Sequence, residues 1–332
     1  MGLDFYIALS GLRAGETMIS VAQNNIANAN NINYARQRVD VSSNNIPQGT
    51  TGVRAQMGTG VWIDQITRIK DDLLIQQVRT EQGKAGYNAG LKNVLSNVET
   101  VFNEVGENSI SNLTERVFNG LQEANKFPEQ SSYRLELVYS AVLFTEKIKG
   151  ISVQLDEVKA QADSQLKTVV NHVNNLLEKI AGANKKMESF GGDEVNSLLD
   201  ARDGYINELS KLVDVSISNK EHPMNMEIKV GNTKVLSGDN YYPLETTYID
   251  AKDEMVLSIG DIKLELKSGE IKGILESRNE LIGKYEKGLN DYVGSIITEF
   301  NNIHTNGFGL DGTTGEKFFN GSDMRTIEIN SI

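Results

Sequence analysis

Three histidines, His172, His222 and His304, are the side chains best suited to carry protons or hold a metal near neutral pH. They stand far apart in the chain, and no His-Glu-x-x-His stretch supplies the paired ligands of a zinc protease. His172 lies on the polar side of a helical pattern beside Val173, and His222 precedes Pro223 in a turn, so both read as solvated. Cysteine is absent, which removes disulfides, zinc–thiolate sites and thiol nucleophiles together. There is no Gly-x4-Gly-Lys-Ser/Thr phosphate loop and no Gly-x-Ser-x-Gly elbow. The stretch from Asp311 to Glu316 has a faint likeness to a calcium loop but lacks its alternating carboxylates, so it reads as a turn. Asp200, Arg202 and Asp203 cluster on a helix, where an ion-pair lattice is the simpler reading. Acidic residues are plentiful, yet nothing singles out a carboxylate pair for glycoside hydrolysis. Neither a cofactor, nor a metal, nor an enzymatic reaction is expected.

Composition narrows the remaining classes. The 332 residues allow about two domains at roughly 150 residues each. No window approaches the roughly 18 consecutive apolar residues of a membrane helix, so membrane insertion is not expected. The first twenty residues carry Asp4, Arg13 and Glu16 and no continuous apolar block, so a cleavable secretory signal is not expected either. With 45 acidic against 33 basic residues the net charge is −12, which argues against a nucleic-acid partner. Lack of cysteine suits a chain that crosses a membrane unfolded.

The elements that would position any site are mostly helical. Phe5, Leu9, Leu12, Ile19 and Ile26 fall on one stripe of a helix over residues 3–28, interrupted by Glu16 and Gln23. Such a face wants a partner helix, in the same domain or in a neighbouring subunit. Asn24 to Asn33 supplies turn chemistry, residues 44–60 read as loop, and Val61 to Ile66 as a short strand. A helix begins at Asp71 or Asp72, with Leu73, Tyr87, Leu91, Val94, Val98, Val101 and Val105 in one frame. A shorter helix over about 111–126 is closed by Pro128. From Val138 to Met187 a three-four alternation runs through seven heptads, broken only at Thr145, Ser152 and Lys159. That predicts a helix roughly 75 Å long at about 1.5 Å per residue. Gly191-Gly192 ends it, and Val195 to Val213 forms another helix.

The period then changes. Met224, Met226, Ile228 and Val230 alternate with polar residues, and Gly231-Asn232 reads as a hairpin turn before Lys234-Val235-Leu236. Strand-like runs continue at 255–257 and 262–266. Helical spacing returns at Leu281, Tyr285, Leu289, Tyr292, Ile296, Phe300 and Ile303. The fold class is therefore mainly α with a β-rich insertion, an elongated helical bundle with long heptad helices. The expected divisions are an N-terminal segment 1–65, a long-helix bundle 66–213, the β-rich insertion 214–268, a returning helix 269–304, and the start of a further segment at 305–332.

Asn24-Asn25-Ile26-Ala27-Asn28-Ala29-Asn30, with Tyr34-Ala35-Arg36-Gln37-Arg38-Val39 after it, resembles the opening of the axial flagellar family, the rod, hook and hook-associated proteins. Gly58-x-Gly60-Val61 and Ile66-x-Arg68 resemble it too. Where that family usually has a Thr-Pro-Gly turn, this chain has Asn31-Ile32-Asn33. Leu198-Leu199-Asp200-Ala201-Arg202-Asp203 and Glu208 to Val215 are similar to the hook-associated branch that joins hook to filament. Phe127-Pro128 with Arg134, Gly269 to Leu275, and Phe300 to Phe308 ending in Gly315-Glu316-Lys317-Phe318-Phe319 fit the same branch. Hook and distal-rod subunits are the nearest alternatives, and a surface enzyme or adhesin on a coiled stalk is a more distant one, with residues 214–268 as its active module.

The resemblance implies a mechanical, extracellular role at the hook–filament junction. Its partners would be further copies in a ring, the hook protein on one side and the next hook-associated protein on the other. Delivery would use the flagellar type III export apparatus and an export chaperone. Family members close with a helix that pairs with the N-terminal one, and none follows residue 304 here, so the chain is expected to be shortened. The N-terminal helix would be flexible until assembly. Its assembly interface would comprise Phe5, Leu9, Leu12, Ile19, Asn24, Asn25, Ile26, Asn28, Tyr34 and Arg36.

Overall fold

The computed structural model describes residues 3–43, 60–102, 106, 108–189, 193–218, 223–310 and 312–330. In chain order the helices are α1 Leu3–Ala27, α2 Asp72–Val101, α3 Ile110–Lys126, α4 Ser131–Met187, α5 Asp193–Leu212, α6 Glu270–Glu276 and α7 Ile282–His304. The strands are β1 Gln37–Ser43, β2 Val61–Arg68, β3 Val215–Ser218, β4 Glu227–Val230, β5 Thr233–Ser237, β6 Asn240–Tyr241, β7 Glu245–Ile249, β8 Glu254–Ile259, β9 Ile262–Lys263, β10 Phe319–Asn320 and β11 Glu328–Ile329. Most of the loop read at 44–60, and Val105 of the α2 stripe, lie outside the described residues. The expected class, mainly α with a β-rich region, is the observed one.

α4 exceeds its prediction. Its 57 residues make about 85 Å of continuous helix. Ala141, Ile148, Leu155, Ala162, Leu166, Val173, Leu176, Ile180, Ala183 and Met187 of the predicted stripe are buried, whereas Val138 is exposed. A second row, Phe144, Ile151, Val158, Val170 and Leu177, is buried beside it. The buried face is thus wider than a two-position seam, as a helix covered from more than one side requires. Thr145 interrupts the stripe at little cost, because its hydroxyl donates to the Val142 carbonyl.

The chain divides into two compact units. The first comprises residues 1–84, 172–244 and 264–267. In it β1 and β2 pair antiparallel from Gln37↔Arg68 to Ser43↔Val61, with an irregularity at Asp40/Val41. β3, β4, β5 and β6 form an antiparallel sheet whose core residues are Ile228, Val230, Val235 and Leu236. The predicted Gly231-Asn232 turn joins β4 to β5, with Gly231 left-handed at φ 56° and pressed against the Glu265 carbonyl. No side chain fits there.

The second unit comprises residues 85–171, 245–263 and 268–332. β7, β8 and β9 form its own sheet, so the 214–268 stretch holds two separate sheets. Only Ile262 and Lys263 of the 262–266 run pair as strand, while Leu264 is buried without extending it. Gly90 of α2 and Gly273 of α6 bring two backbones together: a Cβ at Gly273 would collide with the Tyr87 carbonyl.

α7 corrects the sequence reading. Its buried row is Ile282, Leu289, Val293, Ile297 and Phe300, while Tyr285, Tyr292 and Ile303 face solvent. Two adjacent rows are apolar on this helix, and spacing alone cannot choose between them. The tyrosines take the boundary, where the Tyr292 hydroxyl reaches Thr114 Oγ1 at 2.8 Å. A π-helical turn at Ser277–Leu281 precedes α7 and rotates its phase relative to α6. Residues 312–330 pack back onto α7 through Asn301, whose amide bonds the Phe318 and Phe319 N–H groups and the Phe319 carbonyl.

Candidate functional site

The predicted N-terminal site residues fall into two groups with different surroundings. Ala14 and Val21 of α1 are buried, and the helix lies against β1 and β2. The other face carries the predicted stripe: Phe5 is 55% exposed, Leu12 and Ile19 61%, and Ile26 77%. Leu9 is half-buried, and Tyr6 and Met18 are exposed at the flanks of the buried row. A 25-residue helix thus presents apolar side chains at seven-residue intervals that the described residues of its unit leave exposed.

Asn25 belongs to the second group. Its amide donates to the Gln37 carbonyl at 2.9 Å and accepts from the Gln37 N–H at 2.9 Å. That imitates an adjacent strand and satisfies both backbone groups of a buried residue. The Tyr34 hydroxyl donates to the same Asn25 oxygen at 2.9 Å. Asn28 caps locally on the Asn24 carbonyl, and Asn31 accepts from the Asn33 N–H at 3.1 Å. An asparagine turn therefore does stand where Thr-Pro-Gly was the family pattern. The Arg36 side chain is exposed, while its carbonyl accepts from Ile69 N–H.

Residues that the spacing left unconnected hold this module in place. Arg68 at the end of β2 bonds Asp200 and, at 2.7 Å, Asp203 on α5. Lys70 pairs with Asp203, and Arg79 donates to Asn207 at 2.8 Å. Asp200 also accepts from the Ala35 N–H, and Asn196 donates to the Ile66 carbonyl. Arg202 reaches Asn184 at 2.8 Å. Four cations crowd two carboxylates here. Burial, then the neighbouring Arg68, pushes Lys70 down to about 7, and burial with Arg68 and Arg79 lowers Arg202 to about 10. Asp200 and Asp203 were legible as a cluster and Arg68 as part of a motif. Their meeting across 132 and 135 residues was not.

The second unit contains a convergent polar cleft of about 440 Å³, part of it from residues 214–268. Lys159 bonds Asp253 and Glu286, both at 2.8 Å, and Arg278 grips Asp163 and Asp253. Arg325 pairs with both carboxylate oxygens of Asp156. Burial alone would raise Asp253, but hydrogen bonds from Lys159, Tyr248 and Arg278 bring it to about 2. Burial would lower Lys159 and Arg278, and their carboxylate partners raise both instead. The shifts of Asp253, Lys159 and Arg278 all favour the charged form, which suits a lattice. A general acid or base needs the reverse, a pKa drawn toward the working pH.

His172 pairs with Glu208 at 2.8 Å on the surface, and His304 bonds the Glu316 carbonyl beside Phe318. His222 and Asp311 lie outside the described residues. Among the described residues no three His, Asp or Glu side chains converge to hold a metal, and no helix is long and apolar enough to cross a membrane.

Fold and site together define a mainly helical protein that carries an exposed apolar row on α1 and an ion-pair lattice beneath its hairpin. The chain belongs to the flagellar hook-associated protein family: residues 95–319 match the family described as the flagellar hook-associated protein FlgK helical domain. It is 30% identical to flagellar hook-associated protein 1 of Bacillus subtilis (strain 168), over 96% of this chain and 70% of that one. Identity to flagellar hook-associated protein 1 of Salmonella typhimurium is 26%, over 94% of this chain and 58% of that one. The chain thus spans little more than half of the Salmonella relative. The flagellar hook junction protein FlgK from Burkholderia pseudomallei has the same fold, with a TM-score of 0.65 and 22% identity over 74% of this chain and 46% of that structure.

Proposed function

We propose that this chain is a structural subunit of the bacterial flagellum at the hook–filament junction, joining hook to filament, and that it is not an enzyme. The observation that carries the reading is the open stripe of Phe5, Leu12, Ile19 and Ile26 on a helix whose opposite face is fixed to a tethered hairpin. A stripe spaced for helix packing and uncovered among the described residues is a surface for a partner helix. The family's relatives are named for the hook, and the stripe supplies the physical means of joining it. Copies form a ring between hook protein and the next hook-associated protein. They reach that extracellular place through the flagellar export apparatus with an export chaperone. The divisions at residues 65, 213, 268 and 304 then separate the joining segment from the bundle that spaces it.

The test uses exposed positions only, because Asn25 is a structural fixing and its loss would disturb the hairpin. Leu12, Ile19 and Ile26 are each replaced by Ser in the chromosomal copy. The variant is expected to be exported and to leave cells with bare hooks and flagellin in the medium. Normal filaments on that strain would refute the assignment of the stripe to joining.

A further inference from the structure

We infer that the cation cluster at the foot of the hairpin is a binding site for a small tetrahedral oxyanion, of which sulfate and inorganic phosphate are the simplest. The inference is independent of the α1 stripe and of the ring. Arg68, Lys70 and Arg79 face two carboxylates, Asp200 and Asp203, and Arg202 adds its field from the helix that carries those two. One positive charge of the three is therefore left over before Arg202 is counted. Asp72, at the start of α2, is exposed and acts on Arg79 through its field alone, which solvent screens.

Hydrogen-bond donors are in surplus as well as charge. A guanidinium carries several N–H donors in a rigid fork and accepts nothing. Arg68 keeps only 9% of its side-chain surface, yet a single nitrogen, Nη2, serves both Asp200 and Asp203. Its Nε is buried and meets no acceptor among the described residues. Arg79 spends its Nε on the Asn207 side chain at 2.8 Å, and its Nη2 stands 3.7 Å from Asp203, beyond hydrogen-bond reach. Among the described residues Lys70 bonds Asp203 alone. Buried cationic donors without acceptors are costly, and an oxyanion supplies several acceptors at once to the geometry arginine forks fit best. Lys70 and Arg79 keep 22% and 16% of their side-chain surface open, so an ion reaches the cluster without unfolding. Burial, then Arg68, holds Lys70 down at about 7, and burial lowers Arg79 too, as befits cations short of compensating charge. A bound oxyanion raises both and ties β2, α2 and α5 together at one point, stabilising the hairpin's attachment by mass action.

The whole chain is titrated with sodium sulfate by calorimetry near pH 7, with chloride holding the ionic strength constant. One saturable site is expected, with binding weakened about tenfold or more in Arg79→Gln. Arg325→Gln, in the other lattice, should bind as the natural chain does. Each variant loses one guanidinium, so the pair separates a built site from general screening. Above pH 7, sulfate binding should also take up a proton at Lys70, read from how the heat depends on the buffer's ionisation enthalpy. Lys70→Gln should take up none, and this second readout stands even if Arg79→Gln does not fold. No saturable heat in the natural chain, equal affinity in Arg79→Gln and Arg325→Gln, or proton uptake that survives Lys70→Gln would overturn the inference.

Discussion

α1 and α4 are written in the same pattern and meet opposite fates. Both carry apolar residues at alternating three- and four-residue steps, and both are long enough to persist as helices. On α4 that row is buried together with a second one beside it. On α1 the equivalent row is open, and burial goes to Ala14 and Val21 on the other side. The difference lies in what the rest of the chain supplies. A helix with two apolar rows is enclosed by its own protein. A helix with one broken row and small residues opposite can be held by a hairpin and still offer its row outward. Periodicity thus announces a face, and only the surroundings decide whose face it is.

The largest test of this contrast is a matched pair of truncations. Leu166→Ala in α4 should cost about 2–5 kcal/mol in a urea titration, because it opens a cavity in a packed site. Leu12→Ala in α1 should stay within about 0.5 kcal/mol. Comparable losses would erase the distinction between the two rows. Glycines sharpen it next. Gly273→Ala would force α6 away from the Tyr87 carbonyl and should cost about 1–3 kcal/mol. Gly150 on α4 meets open space, and Gly150→Ala should instead stabilise by about 0.5–1 kcal/mol. Calorimetry on both variants would show whether close backbone approach, not helix propensity, governs the first.

A third test concerns how α1 is held. Asn25→Ala leaves the Gln37 N–H and carbonyl without their partners, at about 1–3 kcal/mol. The loss should appear as faster amide exchange at Gln37 and along β1, with the α4 amides unchanged. Exchange that stayed slow at Gln37 would show that the Arg68 lattice alone fixes the hairpin. The smallest effect is expected from the other lattice. Asp253 has a folded pKa of about 2, against about 3.9 unfolded. Its contribution is therefore complete above pH 4 and fades as the pH falls from about 4 to 2. The urea midpoint should fall across that window, and by less in Asp253→Asn.

Much of the scaffold was legible before any coordinates. Helix α4, the change of period after residue 214 and the Gly231-Asn232 turn follow from spacing and turn chemistry, which act over a few residues. Strand β1 was not read as a strand, since its run of Gln37 to Ser43 holds only two apolar residues, Val39 and Val41, and gains its definition from pairing with β2. Leu289 and Phe300 of the α7 row were read correctly, but Ile282, Val293 and Ile297 were read one position early, because the competing row was equally apolar. The candidate site was half visible. Its stripe and its asparagines could be named, whereas the ties of Asn25 to Gln37 and of Arg68 to Asp200 could not.

Sequence by itself determined the local conformations, the absence of cysteine chemistry, the acidic charge and the existence of two heptad faces. Tertiary structure decided that one face is filled and the other left open. It decided as well that the Asp200 cluster is an anchor for a hairpin more than 130 residues away. The physical reason is one of range. Helix periods and turns are set by neighbours in the chain, which spacing records. Ion pairs and burial depend on which distant segments share a volume, and that is settled only when the chain has closed on itself.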